Sequence, residues 1–359
     1  MSGRDARAWV DVDLAALVDN ARTVARAAGT RLLPVVKANA YGVGAVAVSK
    51  ALEQLEPPPW GYGVATIEEG AELREAGITR PILVFLPARA QLFDQYDRHR
   101  LTPALGDAGS IVAWTARGER SFHVEIDTGM GRAGVRWDEV DELGPAVDTP
   151  YFEGCYTHFH SADRRDGSAE RQLERFLQAV GRLPRRPQLL HVANSAAAVR
   201  GPDFAFDLVR PGVFLYGGSP GEGPTQPRPV VGVRSRVLSV RRLRKGESVG
   251  YYAGWVAPRD TVVATLGIGY ADGLRRTVSQ DPRAHVLLRG KRCPIVGLVA
   301  MDLTLVETGP LDVQVGDVAT ILGEQGTERI TLEDVAAWSG AVQHEVLAGL
   351  GARLPRVYA

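Results

Sequence analysis

Eight short apolar runs lie between Arg31 and Gly217, and longer segments with helical spacing of apolar residues separate them. The runs are LLPVVK, GYGVA, PILVFL, LTPAL, SFHVEI, FEGCYTH, QLLHVA and FDLVRPG. Segments such as AVAVSKALEQL, TIEEGAELREAG and AERQLERFLQAVGRL place apolar residues three and four positions apart, as amphipathic helices do. Eight alternating pairs of strand and helix predict a closed parallel barrel.

The sequence changes character after Gly217. SPGEGPTQPRP predicts a loop, and the chain beyond it is rich in short alternating patterns such as VVGVRSRVLSVRRL, TVVATLGIG and VGDVATILG, which predict antiparallel strands. One further helix, TLEDVAAWSG, precedes a closing segment, HEVLAGLGARLPRVY. We therefore predict an α/β protein with two domains. The first is a (β/α)8 barrel over residues 8–226, and the second is a mainly antiparallel β domain that consists of residues 227–359 together with residues 1–7.

Composition excludes several classes of function for these 359 residues. The chain has 42 acidic and 42 basic residues, and this balance gives no electrostatic signature of binding to nucleic acid or anionic membranes. No apolar run is long enough to span a bilayer and the start lacks a signal-peptide pattern, which predicts a cytoplasmic protein. Cys155 and Cys293 lie in apolar contexts and are expected to be reduced core thiols; no metal site is predicted.

Lys37 lies at the carboxyl end of the first predicted strand, in VVKANAYG. Barrels of this type form their active sites at the carboxyl ends of the strands. Apolar surroundings there lower the pKa of a lysine amine and suit it to condensation with a carbonyl group. A surface lysine whose stem packs on apolar neighbours is the alternative, and this residue alone leaves both interpretations open.

Small residues follow the seventh and eighth predicted strands, in HVANSAAAV and VRPGVFLYG. Barrels commonly bind phosphate at these two strand ends, through backbone amides and small side chains. Ser195, Gly212 and Val213 are therefore candidates for a phosphate site. An ordinary helix cap at Asn194 and a turn at the Pro-Gly pair are the alternative.

Arg210 and His158 close the eighth and the sixth predicted strands. An arginine beside a heteroaromatic nitrogen keeps that nitrogen unprotonated, and a histidine ring can lie against a flat cofactor. A carboxylate partner for Arg210 and a purely structural role for His158 remain open. Their position at strand ends is what favours a functional role.

Four further groups of candidates lie outside the strand ends. Arg132 is on the glycine-flanked loop DTGMGRAG, where a guanidinium can bind a carboxylate or a phenolate, or can simply be a surface residue. The second domain contains Tyr251 in GESVGYYAGW, Tyr270 in GIGYADG, and Met301 with Asp302 in VAMDLT. Aromatic and methionine residues in β structure are usually core residues, so these are weak candidates by themselves.

Ten motifs, VKANAYG, DTGMGR, THFHSAD, HVANSAA, VRPG, LYG, GESVGY, GYADG, MD and PRVY, follow one another from Lys37 to Tyr358. In this order they resemble the alanine racemase family, enzymes of fold type III that depend on pyridoxal 5′-phosphate (PLP). The resemblance covers essentially the whole chain. It implies an isomerase that interconverts L- and D-alanine, a peptidoglycan precursor, in a homodimer whose active sites are shared between subunits.

The resemblance also implies residue roles. Lys37 carries PLP and is one of two catalytic bases, while Tyr251 of the other subunit is the second. The residues implied to bind PLP are Lys37, Tyr41, His158, Asn194, Ser195, Arg210, Gly212, Val213 and His344; those implied to contact the substrate are Arg132, Tyr270, Met301 and Asp302. His191 is implied to steady Arg210. Tyr251 then needs a pKa well below roughly 10 to act as a base near neutral pH.

Glu125 is the first departure from the family pattern. The family often has a lysine there that becomes carbamylated and supports the DTGMGR arginine. Strand alternation places Glu125 and Asp127 on one face, so a carboxylate is expected to meet Arg132 without carbamylation.

Three other departures concern the substrate and the phosphate. Tyr252 replaces a glycine, so a shift of one residue would make Tyr252 the catalytic phenol instead of Tyr251. Ala300 stands where the family often has cysteine, which would widen the substrate pocket. His344 takes the place of a tyrosine that contacts phosphate, and a phosphate neighbour would raise its pKa.

Three functions compete. A racemase for alanine, or for a broader set of amino acids that includes serine, uses both bases. A fold type III decarboxylase pairs the pyridine nitrogen with a carboxylate, which Arg210 disfavours. A non-catalytic PLP-carrier protein needs only the barrel, so the second domain with Tyr251 and Met301 disfavours it.

Overall fold

The computed structural model describes residues 3–221, 223 and 225–359. Residues 1 and 2, which were assigned to the second domain, and residues 222 and 224 of the predicted SPGEGPTQPRP loop lie outside the described residues.

Eight parallel strands form a ring in the first half of the chain. In chain order they are Arg31–Leu32, Tyr62–Val64, Ile82–Val84, Thr102–Leu105, Phe122–Asp127, Phe152–Tyr156, Leu189–His191 and Leu208–Val209, named below the first to the eighth barrel strand. The second to the seventh pair in order, and the eighth pairs with the first. The Val36 amide donates a hydrogen bond to the Gly63 carbonyl and so connects the first strand to the second. The Arg210 amide donates to the Ala193 carbonyl and connects the seventh strand to the eighth, which closes the ring. The predicted barrel is confirmed, and every strand overlaps a predicted apolar run.

Helices follow most of the barrel strands. They are Ala45–Leu52, Ile67–Glu75, Phe93–His99, Ala108–Thr115, Ser168–Arg182 and Ser195–Ala198, and one more helix, Leu14–Ala28, precedes the first barrel strand. Ser168–Arg182 shows why the predicted periodicity works, because Ala169, Phe176, Ala179 and Val180 are its buried apolar residues and lie on one side. The three helical segments predicted from apolar spacing are confirmed.

A nine-stranded sheet forms the second half. Its central strand, Val231–Leu243, pairs antiparallel with Ala8–Val12, Thr261–Leu266 and Val318–Gln325. The remaining strands are His285–Leu288, Lys291–Pro294, Thr304–Glu307, Glu328–Ile330 and Arg356–Tyr358. The last of these runs parallel to Ala8–Val12, whereas the other pairs are antiparallel, so the predicted mainly antiparallel character is confirmed. A separate hairpin joins Ser248–Val249 to Trp255–Val256.

Two details differ from the prediction. The boundary at residue 8 assigned Ala8–Val12 to the barrel, but this strand pairs with the second sheet. The apolar pattern of Ala8–Val12 is compatible with a strand of the barrel or of the second sheet. Its assignment depends on pairing with residues more than 200 positions away in sequence. Two helices, Leu332–Ser339 and Gln343–Ala348, replace the single predicted one. The second has only six residues, too few for a helical period to be recognised.

Both cysteines, Cys155 and Cys293, are buried free thiols, as predicted. Among the described residues, no helix combines the length and the apolar character needed to cross a membrane.

Candidate active site

A cavity of about 840 Å³ opens at the carboxyl ends of the barrel strands. Its lining includes Lys37, Tyr41, Glu125, Arg132, His158, Asn194, Ser195, Arg210, Gly212, Val213 and His344. Parallel strands end at the same rim of a barrel, which is why residues so far apart in sequence meet here. The barrel residues that were implied to bind the cofactor or the substrate therefore lie around one cavity.

Lys37 begins a left-handed helical turn that runs to Tyr41. Residues 38–41 have φ values between 51° and 55°, a region that non-glycine residues rarely adopt. Such a turn persists only where neighbouring groups hold it. The Glu69 carboxylate is one of these groups, since it accepts a hydrogen bond from the Ala38 amide at 2.6 Å.

The surroundings of Lys37 lower the pKa of its amine. Burial is the main cause, and the positive charges of Arg132 and Arg210 add to it, while the Glu69 carboxylate acts in the opposite direction. A lowered pKa increases the fraction of neutral amine, the form that attacks carbonyl groups and accepts protons.

A small polar cradle lies at the ends of the seventh and eighth barrel strands. The Ser195 hydroxyl accepts hydrogen bonds from the Gly212 amide at 2.8 Å and the Phe214 amide at 3.3 Å. A Cβ atom at position 212 would lie 2.4 Å from the Tyr41 hydroxyl, so only glycine leaves this space open. Asn194 caps the short helix that follows. Backbone amides, a hydroxyl and a phenol around an open space fit a phosphate group.

Tyr41 and His344 form one wall of this cradle. The Tyr41 ring stacks on Tyr216 at 4.7 Å and lies 5.8 Å from the His344 ring, measured between centroids. Burial raises the pKa of Tyr41 to about 12, so its hydroxyl stays protonated and can donate. Burial and the charge of Lys37 lower the pKa of His344. The rise expected from the sequence depends on a phosphate anion beside the ring and stays a prediction.

Arg210 is almost fully buried and is held by backbone and side-chain acceptors. Its guanidinium donates to the carbonyl oxygens of His191 and Thr157 and contacts the Nδ1 atom of His191 at 3.0 Å. Burial lowers the pKa of Arg210 to about 10, which still leaves it charged at neutral pH. The contact expected between His191 and Arg210 is therefore present. The Arg210 guanidinium is held in place and can donate hydrogen bonds into the cavity.

His158 faces the cavity as a neutral ring. Burial and the charges of Arg210, Arg132 and Lys37 lower its pKa to about 3. A ring that stays uncharged at neutral pH can lie flat against an aromatic cofactor without repelling the cations around it.

Glu125 lies in the cavity wall on the fifth barrel strand. Its carboxylate accepts a hydrogen bond from the Tyr156 hydroxyl at 3.1 Å, and burial raises its pKa despite the charges of Arg132 and Arg210. Across the described residues, no hydrogen bond or salt bridge joins Glu125 to Arg132. Asp127 accepts hydrogen bonds from three amides of the loop that carries Arg132. Glu125 therefore influences Arg132 only through its charge, and the expected direct contact is absent from the described residues. Asp127 instead holds the conformation of the loop that carries Arg132.

Apart from His344, the candidates from the second domain lie outside the cavity. Tyr251, Tyr270 and Met301 are 58%, 43% and 51% exposed, and Tyr252 is 90% exposed. Asp302 forms a salt bridge with Arg353 at 2.8 Å. Within one chain these residues do not reach Lys37, so any role for them at this cavity requires a second copy of the chain.

Two residues of the site were missed from the sequence. Glu69 forms a capping box with Thr66, and the sequence TIEE predicts that box. The same pattern does not predict the hydrogen bond from the distant Ala38 amide to Glu69. Tyr156 lies under Arg210, with the guanidinium carbon 5.1 Å from the ring centroid. Tyr156 ends the sixth barrel strand two residues before His158, a spacing from which extended chain would place both side chains on one side, and this signal was available.

The comparisons with known proteins agree with this geometry. Residues 12–220 match the family model of the alanine racemase N-terminal domain, and residues 230–358 match that of the C-terminal domain. The alanine racemase of Carboxydothermus hydrogenoformans is 36% identical over 367 residues, which cover 98% of this chain and 99% of the relative. The crystal structure of alanine racemase from E. faecalis superposes with a TM-score of 0.91 at 32% identity and covers 100% of both chains. The Bartonella henselae structure, which has covalently bound pyridoxal phosphate, gives 0.89 at 31% identity over 99% of this chain and 100% of the other.

Proposed function

The chain belongs to the alanine racemase family, and from this premise we propose that it interconverts L- and D-alanine with PLP held on Lys37. One observation carries the proposal. The Lys37 amine, the cradle around Ser195 and Gly212, and the charged Arg210 line the same cavity. A nucleophilic amine, a phosphate site and a fixed cation are the three features that a PLP site of this kind needs.

PLP bound here would supply an electron sink that makes the α-proton of an amino acid removable. Arg210 limits that sink. As a charged group that can only donate hydrogen bonds, it would keep the facing pyridine nitrogen unprotonated. With less of the negative charge delocalised into the ring, the α-carbon would be the preferred position for reprotonation. His158 and the Tyr41 hydroxyl would orient the ring and the phosphate.

We propose two bases, Lys37 on one side of the substrate and Tyr251 of the partner subunit on the other. For D-alanine, Lys37 would take the α-proton from one face while Tyr251 of the partner subunit gives a proton to the opposite face, which inverts the configuration. The two groups would exchange these roles for L-alanine. The exposed Tyr251, Tyr252 and Met301 support a homodimer, because aromatic and methionine side chains are enriched where a second protein covers a surface. Arg132, Tyr270, Met301 and Asp302 are the proposed substrate contacts.

Several finer points remain proposals. The domain division near residue 226 is kept, with Ala8–Val12 joined to the second domain because of its pairing. The cytoplasmic location and the supply of D-alanine as a peptidoglycan precursor rest on the sequence. A broader racemase is the alternative substrate assignment, whereas Arg210 argues against a decarboxylase.

One experiment tests the reaction. The purified protein is incubated with PLP and a panel of L-amino acids in deuterated water, and the α-proton and product chirality are followed by NMR and chiral chromatography. Exchange with formation of D-alanine supports the proposal. Release of carbon dioxide would indicate a decarboxylase, and a visible band of lysine-bound PLP without exchange would indicate a carrier protein. The Lys37→Ala variant should lose that band.

A second experiment tests the shared site. Lys37→Ala and Tyr251→Phe homodimers are each expected to be nearly inactive, and the two are mixed under conditions that exchange subunits. Each hybrid dimer then holds one site with both bases intact, so activity should reappear. If mixing restores nothing although exchange is demonstrated, Tyr251 does not act across the interface.

A further inference from the structure

We propose that His123 is a positioning residue, which acts with Glu153 through His191 to fix the orientation of Arg210. The inference rests on the proposed function, since it assigns Arg210 to the cofactor ring. It concerns side chains on the barrel floor that touch neither substrate nor cofactor.

The four side chains form a chain across the barrel interior. The Nη1 atom of Arg210 lies 3.0 Å from the Nδ1 atom of His191, and the Nε2 atom of His191 lies 2.8 Å from the Nδ1 atom of His123. The Nε2 atom of His123 then lies 3.4 Å from a carboxylate oxygen of Glu153. These residues come from the end of the eighth barrel strand and from the seventh, fifth and sixth strands.

The chemistry of the two ends determines where the protons lie. Arg210 can only donate, so the Nδ1 atom of His191 must accept. Burial and the charge of Arg210 hold the pKa of His191 well below its ordinary value, so the ring is neutral and, because Nδ1 accepts, carries its proton on Nε2. That proton points at the Nδ1 atom of His123, which therefore accepts. His123 is left with its proton on Nε2, facing the Glu153 carboxylate.

Burial makes this arrangement costly to break. His123 and His191 are both 0% exposed, whereas the Glu153 side chain is 27% exposed. The Nε2 atom of His123 has no hydrogen-bond partner among the described residues, so the Glu153 charge at 3.4 Å is an electrostatic contact. A buried polar group that loses its partner costs more than the bond itself was worth.

Gly154 makes room for the His123 ring. It is the residue paired with His123 on the sixth barrel strand, and a Cβ atom there would lie 2.3 Å from the imidazole. The backbone at Gly154 thus leaves space for the His123 ring, which contacts His191.

The expected consequence lies at Arg210. Without an acceptor at position 123, His191 is free to place its proton on Nδ1, where it would face the N–H groups of Arg210. Two donors cannot share that contact, so Arg210 would shift away from the ring nitrogen. A ring nitrogen that is no longer held unprotonated would favour transamination, in which the amino group of alanine passes to PLP and pyruvate is released together with pyridoxamine phosphate.

The test compares His123→Leu, which removes the acceptor, with His123→Asn, whose amide oxygen replaces the Nδ1 atom. The control is His285→Leu, because His285 also has a buried Nε2 atom without a hydrogen-bond partner but lies in the second domain. Glu153→Gln keeps the shape of a partly exposed side chain and removes only the charge. It therefore keeps the test open if His123→Leu does not fold.

Two measurements are made on the PLP-loaded proteins. Nitrogen-15 NMR of the histidine rings reports the tautomers of His191 and His123, and the pyruvate formed per racemised alanine reports the hold on the ring nitrogen. We expect His123→Leu to change the His191 tautomer and to raise the pyruvate ratio about three- to tenfold, while His123→Asn and His285→Leu stay near wild type. Glu153→Gln should shift the His123 signals and raise the ratio less.

Unchanged His191 signals and an unchanged pyruvate ratio in His123→Leu would overturn the inference, and so would unchanged His123 signals in Glu153→Gln. Failure of the proposed function has a different signature, because wild type would then not racemise alanine at all. The tautomers of His123 and His191 in the wild type can be measured whether or not the protein racemises alanine.

Discussion

The Glu69 carboxylate joins the amide of Ala38, directly after Lys37, to the amide of Ala65 at the end of the second barrel strand, at 2.6 and 2.7 Å. A helix-capping residue thereby holds the left-handed turn that presents the candidate PLP lysine. Both oxygens of the carboxylate are used, so no neutral side chain of the same shape can replace it fully.

Glu69→Gln should destabilise the protein and change Lys37. Its amide nitrogen cannot accept from a backbone amide, so we expect the free energy of unfolding to fall by about 1–3 kcal/mol. Loss of the negative charge should lower the pKa of Lys37 further, since Glu69 raises it. Urea unfolding measures the first effect, and the pH dependence of Lys37 acylation in PLP-free protein measures the second. Glu72→Gln, an exposed change on the same helix, should leave both at wild-type values.

His158 should make stability depend on pH. Its pKa of about 3 in the folded protein lies below the ordinary value of 6.5. Between these values the unfolded chain binds a proton at this ring and the folded protein does not, so stability is lost as the pH falls through this window. His158→Asn should reduce that slope by up to about 1.4 kcal/mol per pH unit. Urea unfolding of PLP-free protein across the window measures it. An equal reduction in His160→Asn, a change at an exposed neighbour, would count against this cause.

Gly212→Ala should weaken PLP binding by at least about tenfold. The added Cβ atom would lie 2.4 Å from the Tyr41 hydroxyl, and either the phenol or the eighth-strand turn must move out of the cradle. Fluorescence titration of PLP-free protein measures the dissociation constant. Gly181→Ala is the matched control, because nothing lies within 4 Å of its added Cβ atom. Equal affinities in the two variants would show that the cradle does not hold the phosphate.

Tyr251→Phe should leave the visible band of lysine-bound PLP and reduce kcat for L-alanine by roughly 10²- to 10⁴-fold, the usual contribution of a general base. Tyr252→Phe is the control next in sequence, and its more exposed ring should be far less sensitive. Steady-state rates in both directions separate the two. A larger loss in Tyr252→Phe would mean that Tyr252, in the position of the family's glycine, supplies the phenol.

The sequence determined what depends on short-range pattern. Each barrel strand overlaps a run recognisable by apolar residues and flanking helices, and strand ends in a barrel meet at one rim, so Lys37, His158, Ser195 and Arg210 could be placed around one site before any coordinates. The ordered motifs then supplied the family.

Only the tertiary structure decided the contacts between distant segments. Ala8–Val12 joined the second sheet, Glu69 reached the turn after Lys37, and His123 with Glu153 extended the support of Arg210 across the barrel floor. Apolar periodicity records which face of an element is buried, but not which distant residue it meets there. These long-range contacts depend on how the whole chain packs. The packing of the closed barrel is not determined by any local segment.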